Sequence, residues 1–414
     1  MSFSSVQHCM ITPYSMNNTR TRSSLISRER RSPRRARAAS RIPPSTTSSS
    51  PSSLWVASSI SSNPIQRNPP LTISQAVREN SKIDPNLVED VCVGNCLAQG
   101  SVFIARSSVL AAGFPVTTAA SVSNRFCSSG LLAIQNIANQ ILAGSIDVGI
   151  AVGAESMSTN ADGGAPEMAE RINQHPIASQ NYMPMGHTSE NVAAQFGIAR
   201  EQHDKFAAGS YQKAERAQKA GWFEAEIVPI KTQIKDPKTG EVKDIIVDRD
   251  DGIRYGTTAE SLGKIRAAFP QWQPSATTGG NASQITDGAA ALVLMKRSQA
   301  QKLGQPIVGK FCGATVAGLE PRIMGIGPTY AIPKILGKFG LNKDEIDIFE
   351  INEAFASMVG PWVPCDWKCF QLADFGIQGV YCVSKLGLDE RKVNPRGGAM
   401  CVIPNMPLSI ERSY

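Results

Sequence analysis

The sequence predicts an α/β fold built in layers around a largely parallel sheet, with a second unit inserted into the first. Three observations predict it. Short apolar runs alternate with helical patterns from residue 72 to 156, as strand–helix–strand units do. One of these runs turns directly into a helical pattern through Ser123, Asn124, Arg125, Phe126, Cys127, Ser128, Ser129 and Gly130. The alternation then breaks over residues 162–261 and resumes afterwards. A chain of 414 residues has room for two or three such domains.

Residues 1–70 do not read as a fold. They carry ten arginines, no lysine and a single acid, Glu29, among serines and prolines, which fits a disordered tail or a mitochondrial-type transit peptide. The net charge of +7 divides into +9 before Leu71 and −2 after it. The remainder is near neutral and gives no argument for nucleic acid as a partner. Hydrophobic content of 42% and charged content of 19% fit a soluble globular enzyme. No run reaches the roughly 18 apolar residues of a membrane span. Nine cysteines form no small secreted framework, so free thiols in a reducing compartment are expected. The CxxxC pairs Cys92/Cys96 and Cys365/Cys369 lack neighbouring histidines, and no metal site is expected.

Taken in order, residues 72–80 predict a helix, and 87–97 an acidic helix end followed by a strand. Residues 101–112 predict a helix stopped by Gly113. Residues 116–122 read as a buried strand. Leu131, Ile134, Ile137, Ile141 and Leu142 then fall on one side of a helix that Gly144 closes. Residues 148–152 predict a strand running into Gly153, Ala154, Glu155 and Ser156. In the inserted unit, Ser189 and Glu190 open a helix after a turn at Pro184, Met185 and Gly186. Residues 200–220 form a longer amphipathic helix, and 227–250 a hairpin-like stretch. Residues 260–269 and 277–296 return to the first half. Beyond 301, a second half is expected with a helix over Pro328–Phe339, a strand over 346–350 and a helix from Val380.

Cys127 falls at the strand-to-helix turn. There the free N–H groups and the helix dipole favour a thiolate over a thiol. A thiolate among small neighbours suits acyl transfer. The competing reading is a buried, inert cysteine.

The stretch "NRFCSSGLLAI" resembles the nucleophile segment of the thiolases, the 3-ketoacyl-CoA branch in particular. "GAESMS", "MGHTSENVA", "TTGGNASQITDGAAALVLMKR", "MGIGP" and "FEINEAFA" follow in that family's order. The resemblance covers residues 72–358 and 380–400. It implies a layered αβαβα architecture from two similar halves: a first half at 71–161 and 262–300, a loop domain covering coenzyme A at 162–261, and a second half at 301–414. It implies an acyltransferase of fatty-acid β-oxidation, homodimeric and of the peroxisomal branch. Coenzyme A is then a co-substrate alongside acyl-CoA, with no permanently bound cofactor. Cys127 becomes the nucleophile, and Asn352 holds the water of an oxyanion hole; without the resemblance, Asn352 reads as a helix cap. Coenzyme A contacts carry over to Met185, Arg254, Ser261, Phe269, Ser283, Ala354 and Phe355. In that set arginine meets nucleotide charge, small residues admit pantetheine, and Met and Phe wall the channel.

The sequence departs from the family in four places. The family's opening strand, "RTP" turn and "GGFKDT"-like segment are absent, although the codons of residues 38–43, read one base earlier, permit "GGFKDT". A frameshifted head is therefore a third reading of residues 1–70. Residues 359–378 interrupt the second half; Val359 and Gln378 permit the two ends of a retained intron, and a surface loop insertion is the other reading. Sequencing the transcript decides both. The Gly-His-Pro turn and second cysteine that the family carries after Gly397 and Gly398 have no match, and no histidine follows His203. Ser123 stands where an aliphatic residue is usual and is expected to loosen packing under the nucleophile. His187 reads as a surface residue. A missing base or oxyanion donor lowers rates by about 10²- to 10⁴-fold each. Two other classes remain: a thiolase-like protein that binds acyl-CoA or pairs with a complete subunit without turnover, and a different condensing enzyme of the same broad fold. The C-terminus carries no Ser-Lys-Leu-like address; a mitochondrial location is the alternative to the peroxisome.

Overall fold

The computed structural model describes residues 6–10, 57–60, 69–157, 167–235, 239–358 and 381–400. The insert at 359–378 with Cys365 and Cys369, the tail from Cys401, and most of the head lie outside the described residues. Two pieces of that head are strands, contrary to the expectation of no fold: β1 (Val6–Met10) and β2 (Ala57–Ile60).

The first half follows in order as α1 (Pro69–Asn80), β3 (Asp90–Gly94), α2 (Ser101–Ala111), β4 (Ala119–Ser123), α3 (Ser129–Ala143) and β5 (Val148–Ser156). The inserted unit holds a short helix α4 (Glu170–Asn173), then α5 (Met185–Phe196), α6 (Arg200–Lys219), the hairpin β6 (Ile230–Lys235) and β7 (Val242–Val247), and α7 (Ala259–Gly263). The first half is completed by β8 (Asp287–Met295) and α8 (Arg297–Lys302), and the second contributes β9 (Ala314–Gly318), α9 (Pro328–Phe339) and α10 (Tyr381–Leu386).

The main sheet runs β2–β8–β5–β3–β4. β3 is parallel to both β4 and β5, whereas β8 is antiparallel to β5 and to β2. Four of the five strands therefore run the same way, as expected of a largely parallel sheet, and β8 is the reversed strand that makes it mixed. Alternation along each strand creates its two faces. Val91 and Val93, Val148, Ile150 and Val152, and Ala289, Ala291, Val293 and Met295 pack on Ile73 and Val77 of α1 and Ala105 and Val109 of α2. Cys92, Ala151, Leu292 and Leu294 face the other way, onto Leu131, Ile134, Ile137 and Ile141 of α3. Ile137 and Ile141 are fully buried; each contributes roughly 1.5–3 kcal/mol of hydrophobic stabilisation.

Three local differences have physical reasons. α5 begins at Met185 rather than Ser189, because Pro184 has extended backbone and takes the N-cap position, leaving Met185 and Gly186 inside the first turn. Residues 346–350 form no strand. Only Phe349 pairs, in an isolated parallel bridge with Val393, so no helix follows for Asn352 to cap. β2, from the head, fills the outer edge beside β8, and the centre β8–β5–β3 is intact. β1 pairs antiparallel with β9 of the second half.

Candidate active site

β4, β3 and β5 are adjacent and parallel, so their carboxyl ends emerge side by side. That edge is where α/β sheets place ligands. It gathers Cys127 after β4, Asn95 and Cys96 after β3, and Glu155 at the end of β5.

The Cys127 turn is tightly specified. Phe126 has φ +50°, an unfavourable backbone for a bulky side chain. Its N–H donates to Asn124 Oδ1 at 2.9 Å, and its carbonyl accepts from the Ser129 N–H at 3.0 Å and the Ser129 hydroxyl at 2.6 Å. Ser129 Oγ also accepts from the Arg125 N–H at 2.8 Å. Ser123 does not loosen this packing: it is buried, and its hydroxyl donates to the Ser129 carbonyl at 3.3 Å. Beneath the turn lies Gly94. A Cβ there would fall about 2.5 Å from Gly130 N and Ser129 O, so only glycine lets β3 lie flush against the start of α3.

Glu155 is buried and organises the neighbouring loop. It accepts from the Cys96 N–H at 2.9 Å, the Leu97 N–H at 3.1 Å and Asn95 Nδ2 at 3.2 Å. Burial still holds its carboxyl above the usual range, against those hydrogen bonds.

The expected resting thiolate is corrected. Cys127 is half-buried, and desolvation pushes its thiol up to about 11; a backbone hydrogen bond opposes this and the Glu155 charge adds to it. Two pH units correspond to about 2.7 kcal/mol. A helix N-terminus offers an anion only about 0.3–1 kcal/mol, and Cys127 precedes the first residue of α3, Ser129. The sulfur rests as a thiol and needs a base to become a nucleophile.

From the second half, the "NEAFA" segment is brought against the first. Ala282 bridges Phe355, the Ser283 N–H donates to the Ala354 carbonyl at 2.9 Å, and the Ala356 N–H donates to the Asn281 carbonyl at 2.9 Å. Asn352 is half-buried in this loop. Its neighbour Glu353 is buried and accepts from Ser210 Oγ at 2.6 Å and Asn394 Nδ2 at 2.7 Å. Gly398 lies directly on that carboxylate, where a Cβ would come within 2.5 Å of Oε2, and its N–H donates to Ser210 Oγ at 3.1 Å. A second buried link joins three motifs: Ser189 Oγ bonds Thr277 Oγ1 at 2.9 Å and Ser357 Oγ at 2.8 Å.

Of the residues carried over for coenzyme A, Met185, Ala354 and Phe355 share one apolar cluster. Phe269 covers Gly186, next to Met185, and packs on Trp272 at 5.3 Å. Ser283 lies beside Ala354. Arg254 and Ser261 are exposed, and Ser261 closes a capping box with Thr258. His187 is half-buried rather than a plain surface residue: its ring stacks on Trp272 at 4.7 Å. His175 is exposed and accepts from the N–H groups of Ile177 and Ala178, and His203 is buried in α6. Gly94, Ser189, Glu155 and Glu353 were not singled out as supports from sequence. The last three stand inside quoted motifs, which marks them, but their partners are remote in the chain.

A layered α/β sheet with a cysteine at the carboxyl ends of its parallel strands is an arrangement that cysteine-dependent acyltransferases use. The thiolase N-terminal domain matches residues 70–298 and the thiolase C-terminal domain residues 305–361. The chain belongs to the thiolase family, whose members are acyltransferases that use coenzyme A as a substrate. It is 48% identical over 330 residues to the peroxisomal 3-ketoacyl-CoA thiolase A of Candida tropicalis, spanning 78% of this chain and 74% of that one. It is 46% identical over 328 residues to the peroxisomal 3-ketoacyl-CoA thiolase A of Rattus norvegicus, spanning 79% and 70%. Its structure matches the dimeric peroxisomal thiolase of Saccharomyces cerevisiae with a TM-score of 0.75 at 38% identity, over 87% of this chain and 88% of that one.

Proposed function

We propose that the chain is a 3-ketoacyl-CoA thiolase of fatty-acid β-oxidation, a homodimer of the peroxisome, working through a thioester on Cys127. The observation that carries this reading is the Cys127 turn itself: a strained Phe126, a serine-pinned backbone and a glycine floor hold one sulfur at the sheet's carboxyl edge. The location and the dimer rest on the relatives: those named above are peroxisomal, and the yeast structure is of a dimer.

In this mechanism the Cys127 sulfur, once deprotonated, adds to the keto carbon of 3-ketoacyl-CoA. The bond between the α- and β-carbons breaks, acetyl-CoA leaves after its α-carbon takes a proton, and the acyl group stays on sulfur. The thiol of a second coenzyme A then takes the acyl group and returns Cys127 to its resting state. Asn352 holds a water that donates to the oxyanion. Glu353 fixes the Asn352 loop to Ser210 and Asn394. Met185, Phe269, Ser283, Ala354 and Phe355 line the pantetheine path, and Arg254 and Ser261 meet the nucleotide end.

Incubating the full chain with acetoacetyl-CoA tests this. The expected result is a single acetyl group on Cys127 by peptide mass, absent in Cys127→Ala. Acetylation elsewhere, or none, overturns it. One observation favours a second reading: Ala399 and Met400 follow Gly397 and Gly398 where the family motif carries its histidine, while burial holds Cys127 as a thiol. On that reading the chain binds acyl-CoA without turnover, and calorimetry shows saturable binding with no free coenzyme A consumed.

A further inference from the structure

Two ring side chains outside the coenzyme A set, His187 and Trp272, close a stack that begins at Phe269. Gly186 and His187 belong to the first turn of α5, where the His187 and Thr188 N–H groups donate to the Pro184 carbonyl at 2.9 and 3.1 Å. Residues 268–277 form a loop that folds back onto this turn. The Ala268 N–H joins its ends by donating to the Thr277 carbonyl at 2.9 Å. Glu190 ties the loop to α5, accepting from the Ala276 and Thr277 N–H groups at 3.0 and 2.9 Å.

The loop carries Phe269 and Trp272. The Phe269 ring lies directly on Gly186, where a Cβ would overlap it. Trp272 packs beside Phe269, with ring centres 5.3 Å apart and planes tilted by 34°. Trp272 also stacks on His187, with centres 4.7 Å apart and planes only 5° from parallel. Both separations are those at which aromatic pairs attract. All three rings are half-buried. Gly186 has no side chain to stop the Phe269 ring from turning away, so the ring is kept down by what stands next to it. Trp272 is that neighbour. An indole with two rotatable torsions needs a surface of its own to lie flat, and His187 supplies it.

Resting on the reading of Met185 and Phe269 as walls of the pantetheine path, we propose that His187 and Trp272 are positioning residues, their stack holding Phe269 down on Gly186 and so keeping the path at the width of a pantetheine arm. His187 acts through Trp272, and Trp272 acts through Phe269. Their loss therefore weakens the hold on the pantetheine arm and leaves the nucleotide end and the Cys127 sulfur unaffected.

Calorimetry on the full chain, with coenzyme A and separately with 3′,5′-ADP, tests this. In Trp272→Ala and in His187→Ala, coenzyme A binds about two- to ten-fold more weakly, the change that one aromatic pair is worth, while 3′,5′-ADP binds as it does to the unsubstituted chain. His187→Phe keeps a flat ring and restores the affinity. Adding His187→Ala to Trp272→Ala brings no further loss, because the two residues act in series. Iodoacetamide labels Cys127 at one rate in all of them. Unchanged coenzyme A affinity in the alanine variants overturns the proposal. So does an equal loss for 3′,5′-ADP, which would put the stack under the adenine ring. Additive losses, altered Cys127 labelling, or no rescue by His187→Phe overturn it too. Should Trp272→Ala fail to fold, His187→Ala and His187→Phe decide the matter between them. Failure of the unsubstituted chain to bind coenzyme A overturns the pantetheine path itself and the stack with it; binding that no substitution changes overturns the role of the stack alone.

Discussion

At Cys127 two forces act on one sulfur, and desolvation outweighs the helix. The thiolate fraction at neutral pH is consequently small, and alkylation tracks that fraction. Iodoacetamide should label Cys127 more slowly than a free cysteine at pH 7, with a rate that climbs about ten-fold per pH unit and levels near pH 11. A rate already flat at pH 7 would contradict the burial argument. Glu155→Gln removes a negative neighbour while keeping an oxygen for the Cys96 N–H, so the inflection should move to lower pH. Unchanged labelling kinetics in that variant would show that the Glu155 charge does not reach the sulfur.

Among the elements, the junction of β3 with α3 is the least forgiving. Gly94→Ala drives a methyl group into the Ser129 and Gly130 backbone. Overpacking of this kind costs about 1–3 kcal/mol or more, and here the strain falls on the turn that aims Cys127. Thermal unfolding should show a lower Tm, and the acetylated fraction should drop with it; an unshifted Tm would mean α3 moves away freely. Ser189→Ala leaves the buried hydroxyls of Thr277 and Ser357 without their shared partner, at a cost of about 1–3 kcal/mol. A urea midpoint equal to that of the unsubstituted chain would contradict this link. These junctions also mark the limit of what the sequence can show. Apolar periodicity announces α3 because Ile134, Ile137 and Ile141 repeat on one face. It announces β5 because the strand is buried on both sides. It says nothing about Gly94, whose neighbours lie more than thirty residues ahead, or about Glu353, whose partners Ser210 and Asn394 come from opposite directions. The strand expected at 346–350 failed because its apolar pattern is satisfied by side-chain packing of Phe349 and Ile351, with one backbone bridge.

For the molecule as a whole, His203 sets the acid limit most clearly. It is fully buried in α6. Burial, then the nearby Arg200 charge, lower its pKa from 6.5 to about 4, and the Ala276 backbone only partly offsets them. Arg200 is itself paired with Asp204 at 2.7 Å. Between pH 6.5 and 4 the unfolded chain binds more protons than the folded one. This group's contribution is thus complete above pH 6.5 and is lost as pH falls towards 4, by up to about 3 kcal/mol. Glu155 and Glu353, held above the usual carboxyl range by burial, act in the opposite sense: their contribution is full at low pH and declines as pH rises. His203→Gln should flatten the fall in urea-derived stability between pH 6.5 and 4; an unchanged slope would place the acid sensitivity elsewhere.

Helix α6 carries a mechanical consequence. Lys213 Nζ donates to the carbonyls of Val393 at 2.8 Å and Glu390 at 3.2 Å, and Ser210 grips Glu353 and Gly398 from the same helix. Swinging the inserted unit outward would strand a buried carboxylate and pull an ammonium from its carbonyl seats at once. The unit behaves as a fixed wall, not a hinged lid.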